Sequence, residues 1–116
     1  DMNTGNKVFT KVLGDGPRNH PRLKELNLPP LGDSSLWRPL VTKTLLFAIK
    51  NSKPDPRLLA LEKSTGITIA SIKLPPLGVQ RGAGAPMTYE HKGKQYILIP
   101  MGGLDKPSQF IAYALP

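Results

Sequence analysis

Asp1-Met2-Asn3-Thr4-Gly5-Asn6-Lys7-Val8-Phe9 decides the fold, because it returns as Glu62-Lys63-Ser64-Thr65-Gly66-Ile67-Thr68-Ile69-Ala70. Acid stands on acid, Thr on Thr and Gly on Gly. Both copies place a polar Thr-Gly turn ahead of an alternating, strand-like run. Self-similarity of this kind is the signature of a repeat architecture, in which one unit cannot bury its apolar face alone. A second duplication follows: Leu28-Pro29-Pro30-Leu31-Gly32 recurs letter for letter as Leu74-Pro75-Pro76-Leu77-Gly78. The path from acid to Pro-Pro is about 15 residues longer in the first copy, so residues 14–27 hold an insertion. Insertions in repeats usually lie in loops on the functional face.

Outward from the duplication, the chain reads as short strands punctuated by turns. Strands are expected over residues 7–13, 39–42, 44–50, 57–62, 67–74, 86–91, 94–101 and 109–115. The Asn51-Ser52-Lys53-Pro54-Asp55-Pro56 run is a strong loop signal, and Lys92-Gly93 a hairpin turn. A single helical turn fits residues 20–26, and a loop is expected over 102–108. With 13 Pro and 11 Gly in 116 residues, strands and turns are favoured over a helical bundle.

Four short antiparallel strands per unit is the pattern of a propeller blade. The expectation is an all-β partial β-propeller of about two blades. Residues 1–13 give the outer strand of one blade, 14–35 an insertion loop, 36–74 a full blade, and 75–116 three strands of the last. In a meander, loops alternate between the two ends of the sheet. The insertion, the 51–56 loop, the 75–85 connection and the 102–108 loop then share one end, and the short Thr-Gly and Lys92-Gly93 turns share the other.

Composition removes several function classes. There is no cysteine, hence no disulfide or thiolate metal site. No apolar run is long enough for a membrane-spanning helix, and no secretory leader is visible. The start at Asp1, inside a recognisable motif, reads as a cut. A formal net charge of +8 suits an acidic partner, but the cations are scattered and do not alternate with stacking aromatics, so no nucleic-acid partner is expected. Gly14-Asp15-Gly16 and Gly82-Ala83-Gly84 complete no phosphate-binding loop, and no serine sits in a nucleophile elbow. His20 and His91 lack ligand spacing.

Several stretches together resemble the C-terminal end of the PQQ-dependent (quinoprotein) dehydrogenases of the membrane-bound glucose dehydrogenase type. They are Gly14-Asp15-Gly16-Pro17-Arg18-Asn19-His20-Pro21, Leu26-Asn27-Leu28-Pro29-Pro30-Leu31-Gly32, Pro86-Met87-Thr88-Tyr89-Glu90, Gly93-Lys94-Gln95-Tyr96, Gly102-Gly103 and Ala112-Tyr113-Ala114-Leu115-Pro116. The duplicated segment is similar to that family's tryptophan-docking motif, with Phe9 and Ala70 at the Trp positions and Glu62 for Asp.

The resemblance implies an eight-bladed propeller in the periplasm and an oxidoreductase using pyrroloquinoline quinone with Ca²⁺ or Mg²⁺. In that chemistry a hydroxyl proton of a sugar or alcohol is removed as hydride passes to the quinone. It also implies that the main catalytic acid lies outside this chain, which alone is inactive. Asp55 falls at a cofactor-side position. Gly102, Gly103 and Leu104 fall in a substrate-side loop, where the glucose enzymes have a histidine in place of Leu104. His20, in the insertion on the same end, is the better functional candidate of the two histidines. The expected partners are the remaining blades of the parent chain or another subunit. The alternative is a non-catalytic assembly module, since edge strands of a partial ring invite pairing between copies.

Overall fold

The computed structural model describes residues 1–33, 38–50, 55–75, 84–103 and 106–115. Among them there is no α-helix. Seven strands form two antiparallel meanders. The first sheet is β1 (Leu40–Val41), β2 (Leu45–Lys50), β3 (Arg57–Glu62) and β4 (Thr68–Lys73), in that spatial order. The second is β5 (Met87–His91), β6 (Lys94–Gly103) and β7 (Lys106–Ala114).

Turn chemistry sets each register. Thr42 folds the β1–β2 link: its N–H donates to the Leu45 carbonyl at 2.9 Å, and its hydroxyl accepts the Leu45 N–H at 3.1 Å. The Thr65-Gly66 turn joins β3 to β4, with Gly66 at φ +73°. Its N–H donates to the Glu62 carbonyl at 2.8 Å, and Ile67 N–H donates to Thr65 Oγ1 at 3.2 Å. The turn at residues 1–6 is built alike. Gly5 sits at φ +72° and donates to the Asp1 carbonyl at 2.8 Å, while Asn6 N–H donates to Thr4 Oγ1 at 3.3 Å. Lys92 and Gly93 both have positive φ (+50° and +72°), the tight hairpin geometry that matches strand twist.

The sheets meet face to face. Phe47, Ile49, Leu58 and Ala60 of the first sheet, with Leu74, enclose a cluster with Ile97, Ile99 and Met101 of β6. Burying each of the larger side chains among them contributes about 1.5–3 kcal/mol. The opposite face of the first sheet, Ala48, Leu59 and Leu61, takes Leu13 and Leu46.

Three expectations are corrected. Residues 7–13 are not a strand: no strand pairs with them among the described residues, and a strand needs a ladder neighbour. The segment is held by side chains instead. The Phe9 ring lies against Gly66, Lys11 Nζ donates to the Gly66 carbonyl at 2.7 Å and to Thr68 Oγ1 at 2.8 Å, and Leu13 packs on the sheet. Positions 9, 11 and 13 thus keep the alternation without the hydrogen-bond ladder.

The 102–108 loop is shorter than expected, because β6 extends through Gly103 and β7 begins at Lys106. Pro107 is tolerated there because β7 is an edge strand. The insertion holds two 3-10 turns, Gly16–Asn19 and Lys24–Leu26, of which only the second falls within the expected helical turn. Pro17 near the start of the first is preset for a helical φ.

Candidate functional site at the loop end of the first sheet

The site grows from the register of β2, β3 and β4. Lys50 stands opposite Arg57, and Arg57 opposite Lys73. Directly opposed residues share one sheet face, so three cations lie in a row, and like charges so placed repel by roughly 0.2–1 kcal/mol a pair. Two carboxylates are drawn in among them.

Asp55 stands two residues before Arg57. The Pro56 carbonyl that follows it accepts the Leu74 N–H at 2.9 Å, tying this end of the loop to the end of β4. Arg57 Nε donates to Asp55 Oδ2 at 2.6 Å, and Arg57 Nη1 donates to Ser71 Oγ of β4 at 3.3 Å. That bond from Arg57 holds the Asp55 carboxyl below the usual carboxylate pKa. Partial desolvation opposes the shift, and the charges of Arg57, Lys73 and Lys50 reinforce it. The second oxygen, Oδ1, is buried and has no partner among the described residues. An acceptor without a protein donor is open to a donor from solvent, a ligand or a neighbouring chain.

The other carboxylate comes from the insertion. Asp15 lies 3.4 Å from Lys50 Nζ and 3.8 Å from Arg18 Nη1. The neck of the insertion is closed by its own backbone. Asp33, Gly32 and Leu31 donate to Leu13, Gly14 and Asp15 at 2.9, 3.1 and 3.1 Å, and Gly16 N–H reaches Asp33 Oδ1 at 3.1 Å. A closed neck of this kind makes a compact surface loop. It delivers Asp15 to the charged row on β2–β4.

The other expected site residues divide. Gly102 lies within β6 rather than in a loop. A Cβ there would come within 2.8 Å of Ser108 Oγ, so the glycine is needed for close strand approach. Gly103 pairs with Lys106 just after a register shift. Leu104 lies outside the described residues. Met101, next to Gly102, shares a cluster with Ile49, Leu58 and Leu74, the chain neighbours of Lys50, Arg57 and Lys73. His20 is exposed, its Nδ1 accepts the Arg22 N–H at 3.3 Å, and no hydrogen bond joins it to Asp55 among the described residues. Sequence reading passes over the Asp15–Lys50 and Asp55–Arg57 pairs. The signal that finds them is the register of equal-length strands flanking the 51–56 loop. No group of three metal-ligating side chains converges among the described residues.

Residues 1–97 match the β-propeller domain of the PQQ-dependent glucose/ethanol/alcohol dehydrogenases. A glycerol dehydrogenase large subunit from Gluconobacter thailandicus is 32% identical over 123 aligned residues; the match covers all of this chain and 16% of that relative. No solved structure gives a significant match. Two packed antiparallel meanders, a pair of like-built Thr-Gly turns and a family match over most of the length agree, and the chain belongs to the β-propeller family of PQQ-dependent dehydrogenases.

Proposed function

We propose that this chain is the C-terminal part of a periplasmic quinoprotein dehydrogenase that oxidises a sugar or alcohol, and that it is inactive by itself. The observation that carries this reading is the family match over residues 1–97. Asp55 Oδ1, buried and without a partner among the described residues, supports a pocket that something else completes. The like-built turns at Gly5 and Gly66 support the repeat on which a ring is based. When bound, the quinone supplies the two-electron acceptor for hydride. The work of this chain is to set charge and shape at the rim: Asp55 keeps an ionised oxygen available, Arg57 holds it, and the insertion closes over the β2 end through Asp15 and Lys50. Ca²⁺ or Mg²⁺ falls to the rest of the propeller.

Leu104, in the place of the glucose enzymes' histidine, disfavours glucose, and the glycerol dehydrogenase likeness favours a small polyol. The test is reconstitution of the full-length parent with pyrroloquinoline quinone and Ca²⁺ or Mg²⁺, following dye reduction. Polyols should be turned over faster than glucose, the isolated segment should be inactive, and the activity should fractionate with the periplasm. Absence of quinone-dependent oxidation in the parent rejects the reading.

A second reading, an assembly module, is favoured by the outer face of the second sheet. Phe110 is 75% exposed and Met87 50%, and β7 has a free edge among the described residues. Such a face suits the remaining blades of the parent or a second copy. Under this reading the intact parent assembles but oxidises nothing.

A further inference from the structure

Residues 14–33 contribute nothing to the core. None of them is buried, and neither 3-10 turn holds a buried residue. Ordering such a stretch costs conformational entropy, and no apolar burial offsets it. The neck is nevertheless tight. Leu13, Gly14 and Asp15 face Asp33, Gly32 and Leu31, each pair joined by a backbone hydrogen bond. Gly14 and Gly16 have φ of +92° and +62°. A Cβ on Gly14 would overlap the Asp33 carboxylate, and one on Gly16 would come within 2.6 Å of the Gly32 carbonyl. Only glycine permits both the conformation and the approach. The stem is thus fixed, and Asp15 holds it against Lys50 at 3.4 Å. Lys50 stands opposite Arg57, which binds Asp55, so the stem is anchored at that end of the first sheet.

We propose that the insertion is a recognition module that takes no part in folding, and that it sets the size of substrate the parent accepts by standing as a fixed wall at the loop end. The proposal deepens the quinoprotein reading and rests on it. A rigid body beside a binding site acts on ligands by filling space. The class it admits is the small polyol, and the class it turns away is the disaccharide alcohol. A wall held by its own stem discriminates without the ordering cost that a mobile loop meets on closing.

The stem itself supplies the excision. Asp15 and Leu31 are already joined, so a two-residue Asn-Gly hairpin turn can replace residues 16–30 and leave the sheets in place. In the full-length parent that variant should keep the urea midpoint of wild type, because no buried group is removed. Its kcat/KM for maltitol relative to glycerol should rise about tenfold or more. Asp15→Asn frees the stem from Lys50 and leaves the insertion otherwise intact. It should move the same ratio in the same direction by about two- to fivefold, the range for an exposed ion pair. Lys50→Met should match it, and the double variant should equal either single, since both remove one contact.

A wild-type parent without quinone-dependent oxidation fails the quinoprotein reading, and this proposal with it. An active parent whose excision variant unfolds at lower urea overturns the claim that the insertion takes no part in folding, and the size ratio is then read from Asp15→Asn. An excision variant as stable as wild type with an unchanged maltitol-to-glycerol ratio overturns the wall. An unchanged ratio in Asp15→Asn overturns the role of its anchor.

Discussion

Gly66 carries two demands at one α-carbon: a left-handed φ of +73°, and the Phe9 ring where a Cβ would stand, at 2.7 Å. Gly66→Ala in the parent should therefore cost about 1–2 kcal/mol for backbone conformation alone, plus the clash. Adding Phe9→Ala should recover the clash and leave the conformational cost, so urea unfolding of the pair should be less than additive. Asp55 gives a pH prediction of definite sign. Its folded pKa is lowered, so its stabilising effect is complete above the ordinary carboxylate value of 3.8 and is lost as pH falls through the folded value. The stability gap between wild type and Asp55→Asn should be constant at neutral pH and close in that acid window, read as urea midpoints. From the sequence alone, Asp55 is legible as a turn aspartate in a loop. Its bond to Arg57 is not, because a register must place strand ends before charges can be paired.

At the level of elements, β2, β3 and β4 are legible because β-branched or apolar runs end at Pro, Gly and Asn clusters, which fix strand ends locally. Residues 7–13 mislead for a physical reason: alternation reports which side chains face inward, whereas a ladder depends on a neighbour far along the chain. The β6–β7 link misleads because Lys106-Pro107-Ser108 has the composition of a loop, and only the edge position of β7 makes Pro107 harmless. Pro100 lies in β6 beyond Leu98, the partner of the first β5 residue, so its missing donor costs no β5 bond. Three substitutions test this layer in the parent. Ile99→Ala empties a fully buried position between the sheets and should cost about 2–5 kcal/mol, whereas Ile69→Ala, on the exposed β4, should cost far less. Lys92→Asn should raise stability by about 0.5 kcal/mol, because asparagine tolerates the φ of +50° better than lysine. Thermal unfolding reads all three.

Over the whole molecule, one face of the first sheet packs on the second sheet, and Leu13 packs on the other around Ala48, Leu59 and Leu61, while β4 stays exposed. The second sheet is covered on one face only. Tyr89 and Tyr96 stack at 5.1 Å on the other, beside Leu98 and near the exposed Phe110. Phe110→Glu should leave the sheet intact and weaken whatever association this face supports, seen as a smaller sedimentation coefficient at micromolar concentration. The composition signals strands and turns, and the duplication signals stacking. Neither can say which face lacks a cover, because exposure is a property of the assembled sheets.

The grip of Phe9 and Lys11 on the Gly66 turn also has a consequence for recombining such rings. A crossover placed between residues 13 and 40 parts an aromatic from the glycine it has been fitted to, and leaves an ammonium facing an unfamiliar carbonyl. Chimaeras should tolerate junctions that move the two ends of this clasp together and resent those that split it, so the natural unit of exchange is offset from the blade by about one strand.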